Sequence, residues 1–302
     1  MELHWKPDPE RARLERAALS LFIGQQLEDR LGWDADELSA ELDGDLAHPA
    51  MFVALWSMVE GKGPRSSRDE VVQTVRESRL RAAEGVWHGT LAVDLVPPEQ
   101  TVLAPTLIRA REMTRRIDGT PQTFTFHHPD RIGARDQIFQ VRELISDCWP
   151  EMLAELETTV SCLAFFTAGA AIGFADVQTH GLIALRRQDL SNVTILAEEI
   201  IHESSHVRLN GIMSSTECLL DDGGRLYTTP LRKDPRPAPG LLHQFFVLAR
   251  LREWQSRLGA EAIPERVERQ RKQLIFAYDV VNKDLPLTDA GRELVSTVGP
   301  VG

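Results

Sequence analysis

The sequence predicts a mixed α+β fold, mostly helical, with a small sheet beside one helix that carries paired histidines. Three observations predict it. Apolar residues recur at helical spacing through most of the chain. Two short β-branched and aromatic runs, 160–166 and 181–187, stand directly ahead of a long helical pattern. The 302 residues, at ~150 per domain, suffice for about two domains or one large core.

The elements follow in order. From Pro9 to about Glu70, Leu14, Ala17, Ala18, Leu21 and Phe22 form one helical stripe, and Met51, Leu55 and Met58 another. Asp34 and Asp43 stand as N-caps, because a short acceptor there meets an otherwise unpaired helix N–H. Residues 61–67 read as a loop, with Ser67 capping a helix that runs to about Ala83, and Pro97, Pro98 and Pro105 interrupt any long element. Residues 122–127 suit a short strand around Phe124 and Phe126, and 136–158 return to helical spacing with Ile138, Val141, Leu144 and Ile145. Strand, strand and helix then follow at 160–166, 181–187 and 189–209. After them come a loop with Asp221, Asp222, Gly223 and Gly224, a strand at 225–228 and a proline-rich bend from Pro230 to Gly240. Helices at 241–258 and 264–281 precede a polar tail. The chain thus divides into a helical region 1–150 and a region 151–302 that holds the candidate metal-binding residues, within what can be one continuous fold.

Composition removes several functions. Hydrophobic residues at 42% and charged residues at 26% are the balance of a globular protein. A net charge of −11 repels phosphate backbones, so nucleic acid is not an expected partner. Three scattered cysteines without a CxxC pair argue against a disulfide scaffold or thiolate zinc site, leaving Cys162 and Cys218 as core and loop thiols. The N-terminus lacks the basic start and apolar run of a secretory signal, which points to the cytoplasm. The segment 159–175 is broken by Gly169 and Gly173 and lies at the short end of the ~17–25 residues that span a bilayer, so it reads as buried core and no membrane is expected.

The chemistry concentrates in Glu198-Glu199-Ile200-Ile201-His202-Glu203-Ser204-Ser205-His206. Histidines at i and i+4 on a helix lie one above the other, so His202 and His206 can converge on one metal with Glu203 beside them: an HExxH motif. Two imidazoles need a further protein ligand. The chain has Asn210-Gly211-Ile212 where the extended form of the motif would place Gly-x-x-His, and the next helix lacks a Glu-x-x-x-Asp. It offers His243 instead. Glu203 or Glu199 could otherwise complete a set of two His and one carboxylate. Glu199, three residues before His202, also suits an acceptor for an imidazole N–H. His127 and His128, adjacent in sequence, point two ways and suit no second site, and His180 reads as an exposed loop residue. On these letters alone a zinc metallopeptidase, with Glu203 as general base on a zinc-bound water, is one reading.

The pairing of Glu-x-x-His-Glu-Ser-Ser-His with the downstream Pro230, Arg232, Asp234, Pro235, Arg236, Pro237, Gly240 and His243 resembles the HExxH-motif peptide-modification proteins of ribosomal peptide biosynthesis, over about residues 160–260. Leu231 stands where that family commonly has Trp. The resemblance implies an Fe(II)- and 2-oxoglutarate-dependent hydroxylase of a β-carbon in a precursor peptide, with a zincin-like core and His202, His206 and His243 as metal ligands. Three protein ligands suit a dioxygenase, which leaves three positions for a keto acid and O2. The far carboxylate of 2-oxoglutarate calls for a bidentate guanidinium, and Arg232 and Arg236 are the candidates. Arg236 is favoured, since Pro235 and Pro237 stiffen the chain on both sides of it. Glu203 then orients or supplies charge.

Overall fold

Asp8 opens the first helix, α1 (Pro9–Leu31): its carboxylate accepts the Arg11 N–H at 3.0 Å, and Gly32 ends the helix at φ 67°. A computed structural model describes residues 4–60, 66–84, 87, 102–103, 125–127, 135–167, 173–186, 192–229, 232–259 and 262–298. The stripe expected to face the core faces outward instead. Buried are Ala12, Ser20, Ile23, Gly24 and Leu27. The opposite face of α1 can be buried because the Ser20 hydroxyl is satisfied, donating to the Gly44 carbonyl and accepting the Leu46 N–H.

Helix α2 (Ala35–Glu41) carries the expected Asp34 cap, accepting the Glu37 N–H at 2.8 Å. Asp43 caps nothing. It sits at φ 49° in the turn after α2, and α3 (Pro49–Glu60) begins six residues later, where Nδ1 of His48 accepts the Ala50 N–H. Helix α4 (Arg68–Glu84) starts on a reciprocal box: the Ser67 hydroxyl accepts the Glu70 N–H and the Glu70 carboxylate accepts the Ser67 N–H. The expected strand at 122–127 is β1 (Thr125–His127), its first three residues lying outside the described ones. The helix expected over 136–158 is two, α5 (Arg135–Cys148) and α6 (Pro150–Thr159), because Pro150 drives Trp149 out of helical geometry.

Strands β2 (Cys162–Thr167), β3 (Gly173–Ala175) and β4 (Leu182–Arg186) join β1 in one sheet of order β1-β2-β4-β3. β2 and β4 are parallel, and the outer two strands are antiparallel to their neighbours. Both faces are buried. Leu163, Phe165, Ile183 and Leu185 point into a core built with α5, α6 and the later helices, while Cys162, Ala164, Phe166, Leu182 and Ala184 point into a second core with α1–α4. Two-sided burial is why 162–166 reads as an unbroken apolar run.

The rest comprises α7 (Val193–Ser215), β5 (Leu226–Thr229), β6 (Arg232–Pro237), α8 (Ala238–Leu258), α9 (Pro264–Asp284) and α10 (Asp289–Ser296). Of the expected bend at 230–240, the first two residues lie outside the described ones, Arg232–Pro237 is instead β6, paired with β5 in a two-stranded hairpin, and the rest opens α8. Prolines are tolerated there because such a ribbon is all edge. The polar tail contains α10, which Thr288 caps and which buries Leu294 and Val295. None of the described helices is long and apolar enough to cross a membrane.

A buried ion cluster ties the N-terminal segment to this half. Glu155 of α6 accepts from Arg250 of α8 at 2.5 Å, from Arg208 of α7 at 3.0 Å and from the Asp8 N–H at 2.9 Å. Burial alone would raise the Glu155 pKa, but the two guanidiniums outweigh it and hold the carboxyl below the usual carboxylate range. Arg250 also donates to the Trp5 carbonyl, Glu15 of α1 pairs with Arg208, and the Trp5 indole donates to the Thr297 carbonyl at 3.1 Å.

Candidate metal centre

Helix α7 forms the floor of the site. Asn192 caps it by accepting the Ile195 N–H at 3.0 Å, and Leu196, Ile200, Ile201, Val207 and Leu209 anchor it in the core. That anchoring leaves His202 and His206 half-buried, one turn apart, with ring centroids 5.1 Å from each other. Helix α8 begins at Ala238, three residues before its expected start, which sets His243 in its second turn. From there His243 reaches across to α7, its ring centroid 5.2 Å from that of His206.

The three imidazoles stand in a row with His206 in the middle. Nε2 of His206 lies 3.3 Å from Nε2 of His202, and Nδ1 of His206 lies 3.1 Å from Nδ1 of His243. Two donors at about 2.0–2.1 Å from one ion fall roughly this far apart. His206, however, turns different nitrogens to its two neighbours, so as the rings stand the three lone pairs do not meet at one point. Among the described residues, no three His, Cys, Asp or Glu side chains close around a common metal-sized space. Burial lowers the His243 pKa to about 4, which keeps its ring neutral and able to donate a lone pair.

Glu203 is buried on α7, its Oε1 4.0 Å from Nε2 of His202. Burial first, then the neighbouring Glu199 carboxylate, pushes its pKa well above the carboxylate range. The sheet edge lies directly on it. A Cβ on Gly173 of β3 would sit 2.6 Å from Glu203 Oε1, so any side chain there must push that carboxyl group aside. Glu199 lies 3.9 Å from the Arg266 guanidinium. Glu198, one turn before His202, is buried and accepts from Arg266 and Gln270, each at 2.7 Å, and from Gln255. These bonds lash α7 to α8 and α9. Neither Gly173 nor the Glu198 cluster is apparent from the sequence, since their partners lie tens of residues away.

Arg236 is in β6 opposite Tyr227, and the strand's register slips between Tyr227 and Thr229. Its Nε lies 2.7 Å from an Asp234 carboxylate oxygen, and its stem passes over Gly240, one turn before His243. Arg232 opens β6, and its side chain lies outside the described residues. The side chain of His127 and residues 128–130 lie outside them too.

His180 is not an exposed loop residue. It is buried against Phe52, ring centroids 5.2 Å apart, and burial first, then Arg16, lowers its pKa to about 3. Cys162 and Cys218 are buried thiols raised to about 11, chiefly by burial, as inert core cysteines are. A scan against protein-family models and a search of curated proteins find no match to this chain.

Proposed function

We propose that this chain is an Fe(II)- and 2-oxoglutarate-dependent dioxygenase of the HExxH peptide-modification type, hydroxylating the β-carbon of a residue in a ribosomally made precursor peptide in the cytoplasm. The observation that carries the reading is the approach of His243, from a separate helix, to within 3.1 Å of His206. A third imidazole brought 37 residues along the chain to an HExxH pair is the donor set the reaction needs.

When bound, iron and 2-oxoglutarate supply O2 activation and the cleavage of an unactivated C–H bond. The chain's residues do the rest. His202, His206 and His243 hold the ion as neutral donors. Arg236 presents a planar fork to the far carboxylate of 2-oxoglutarate, exchanging Asp234 for it, with Arg232 as the neighbouring candidate. Glu203, pressed against β3 from α7, orients the site. The sheet edge beside α7 supports reading the core as zincin-like, with the helical first half as a wall for the peptide.

A zinc metallopeptidase is the second reading, favoured by the 4.0 Å between Glu203 and His202, where a carboxylate could take a proton from water. Mass spectrometry of a candidate precursor peptide incubated with the enzyme, Fe(II), ascorbate and 2-oxoglutarate separates the two. Gain of one oxygen with consumption of 2-oxoglutarate supports the hydroxylase. Two fragments whose masses sum to peptide plus water support the peptidase.

A further inference from the structure

Helix α1 turns an apolar stripe to solvent. Leu14, Leu21 and Phe22 are 63%, 79% and 56% exposed, with exposed Ala17 and Ala18 between them. All five lie on one face, opposite the buried Ile23 and Leu27 that fix the helix to the protein. Scattered exposed leucines need no explanation, but a continuous stripe of more than two turns on a well-anchored helix does.

We infer that this stripe is the interface of a homodimer, in which α1 packs antiparallel against α1 of a second copy about a two-fold axis near Ala17 and Ala18. The order of side chains is large, small, small, large, which is self-complementary under that operation. The alanines let the helix axes approach to about 8 Å, while Leu14 of each copy meets Leu21 and Phe22 of the other. Charge selects the same orientation. The exposed charges at the N-terminal end are Lys6, Glu10 and Arg13, net positive, and those at the C-terminal end are Glu28, Asp29 and Arg30, net negative. Antiparallel pairing brings unlike ends together, whereas parallel pairing stacks like on like. A single helix pair is a contact at the small end of specific interfaces, so association belongs in the micromolar range.

Sedimentation of the full chain from about 1 to 100 µM tests this, spanning the expected dissociation constant. The mass rises toward twice 33.9 kDa with concentration. Leu21→Glu weakens the dimer at least a hundredfold and leaves the melting temperature at low concentration unchanged, since the side chain is exposed in the monomer. Lys6→Glu weakens it, and adding Asp29→Lys to that variant restores it, since the two-fold sets residue 6 of one copy opposite residue 29 of the other. A wild type that stays monomeric across the range overturns the proposal, as does a dimer that Leu21→Glu leaves intact. A charge exchange that fails to restore association overturns the antiparallel arrangement.

Discussion

Gly173 and Glu203 are in direct contact, the backbone of the sheet's edge strand resting on the carboxylate of the residue between the two site histidines. The smallest substitution at position 173 must therefore displace that carboxyl group. Gly173→Ala is expected to cost about 1–3 kcal/mol of stability through overpacking. Activity should fall further than the loss of folded protein accounts for. Urea unfolding and turnover on the same preparation check this, and an alanine variant with wild-type turnover would remove Glu203 from the working site.

Replacing His243 by alanine deletes one of the three imidazoles without touching α7. The expected result is loss of at least a hundredfold in Fe(II) affinity, read by metal titration, with the metal-free protein as stable as wild type to within about 2 kcal/mol. Retention of tight metal binding would return the third ligand to a carboxylate of α7.

Arg236→Lys keeps the charge of the proposed keto-acid anchor but loses its planar pair of donors. The KM for 2-oxoglutarate should rise by roughly ten- to a hundredfold, the cost of one bidentate contact, while metal affinity stays unchanged. An unaltered KM would shift the anchor to Arg232.

Glu155→Gln leaves Arg250 and part of Arg208 buried without their counterion. Breaking a buried pair from one side costs about 3–5 kcal/mol, and chemical denaturation should show a loss of that size. Because the Trp5 carbonyl and Asp8 N–H join the same cluster, limited proteolysis should cut the first residues of the variant sooner.

Stability should also fall with pH through two histidines remote from the site. His48 and His180 both have pKa values lowered to about 3, burial being the largest cause, against 6.5 when exposed. The unfolded chain thus takes up their protons first. Their contribution is whole above pH 6.5 and is lost progressively between 6.5 and about 3. Each adds a slope of up to about 1.4 kcal/mol per pH unit. Denaturation at pH 7.5, 6 and 5 measures it, and the double variant His48→Gln, His180→Gln should flatten the profile.

What was legible in the sequence was what is local. Asp34, Ser67 and Pro264 mark helix starts because caps and first-turn prolines act within four residues. The order strand, strand, helix around the HExxH pair was legible too, since two-sided burial imposes apolar runs. The outward face of α1 was not. Its inward face contains Ser20 and Gly24, which look polar and permissive until Gly44 and Leu46 arrive beside them. The same holds for β6, where the prolines that suggested a bend fit an edge ribbon whose partner strand supplies the reason to extend. At the candidate site His202 and His206 could be named from their spacing, while His243 came with the family resemblance. The direction each ring nitrogen faces depends on the contact between α7 and α8, which no spacing encodes.

The bond from the Trp5 indole to the Thr297 carbonyl brings residues 292 positions apart into one hydrogen bond. A short flexible linker could splice the chain into a ring there, and fresh ends could be opened at Gly223 and Gly224, an exposed left-handed turn. Such a permutant should fold as the parent does.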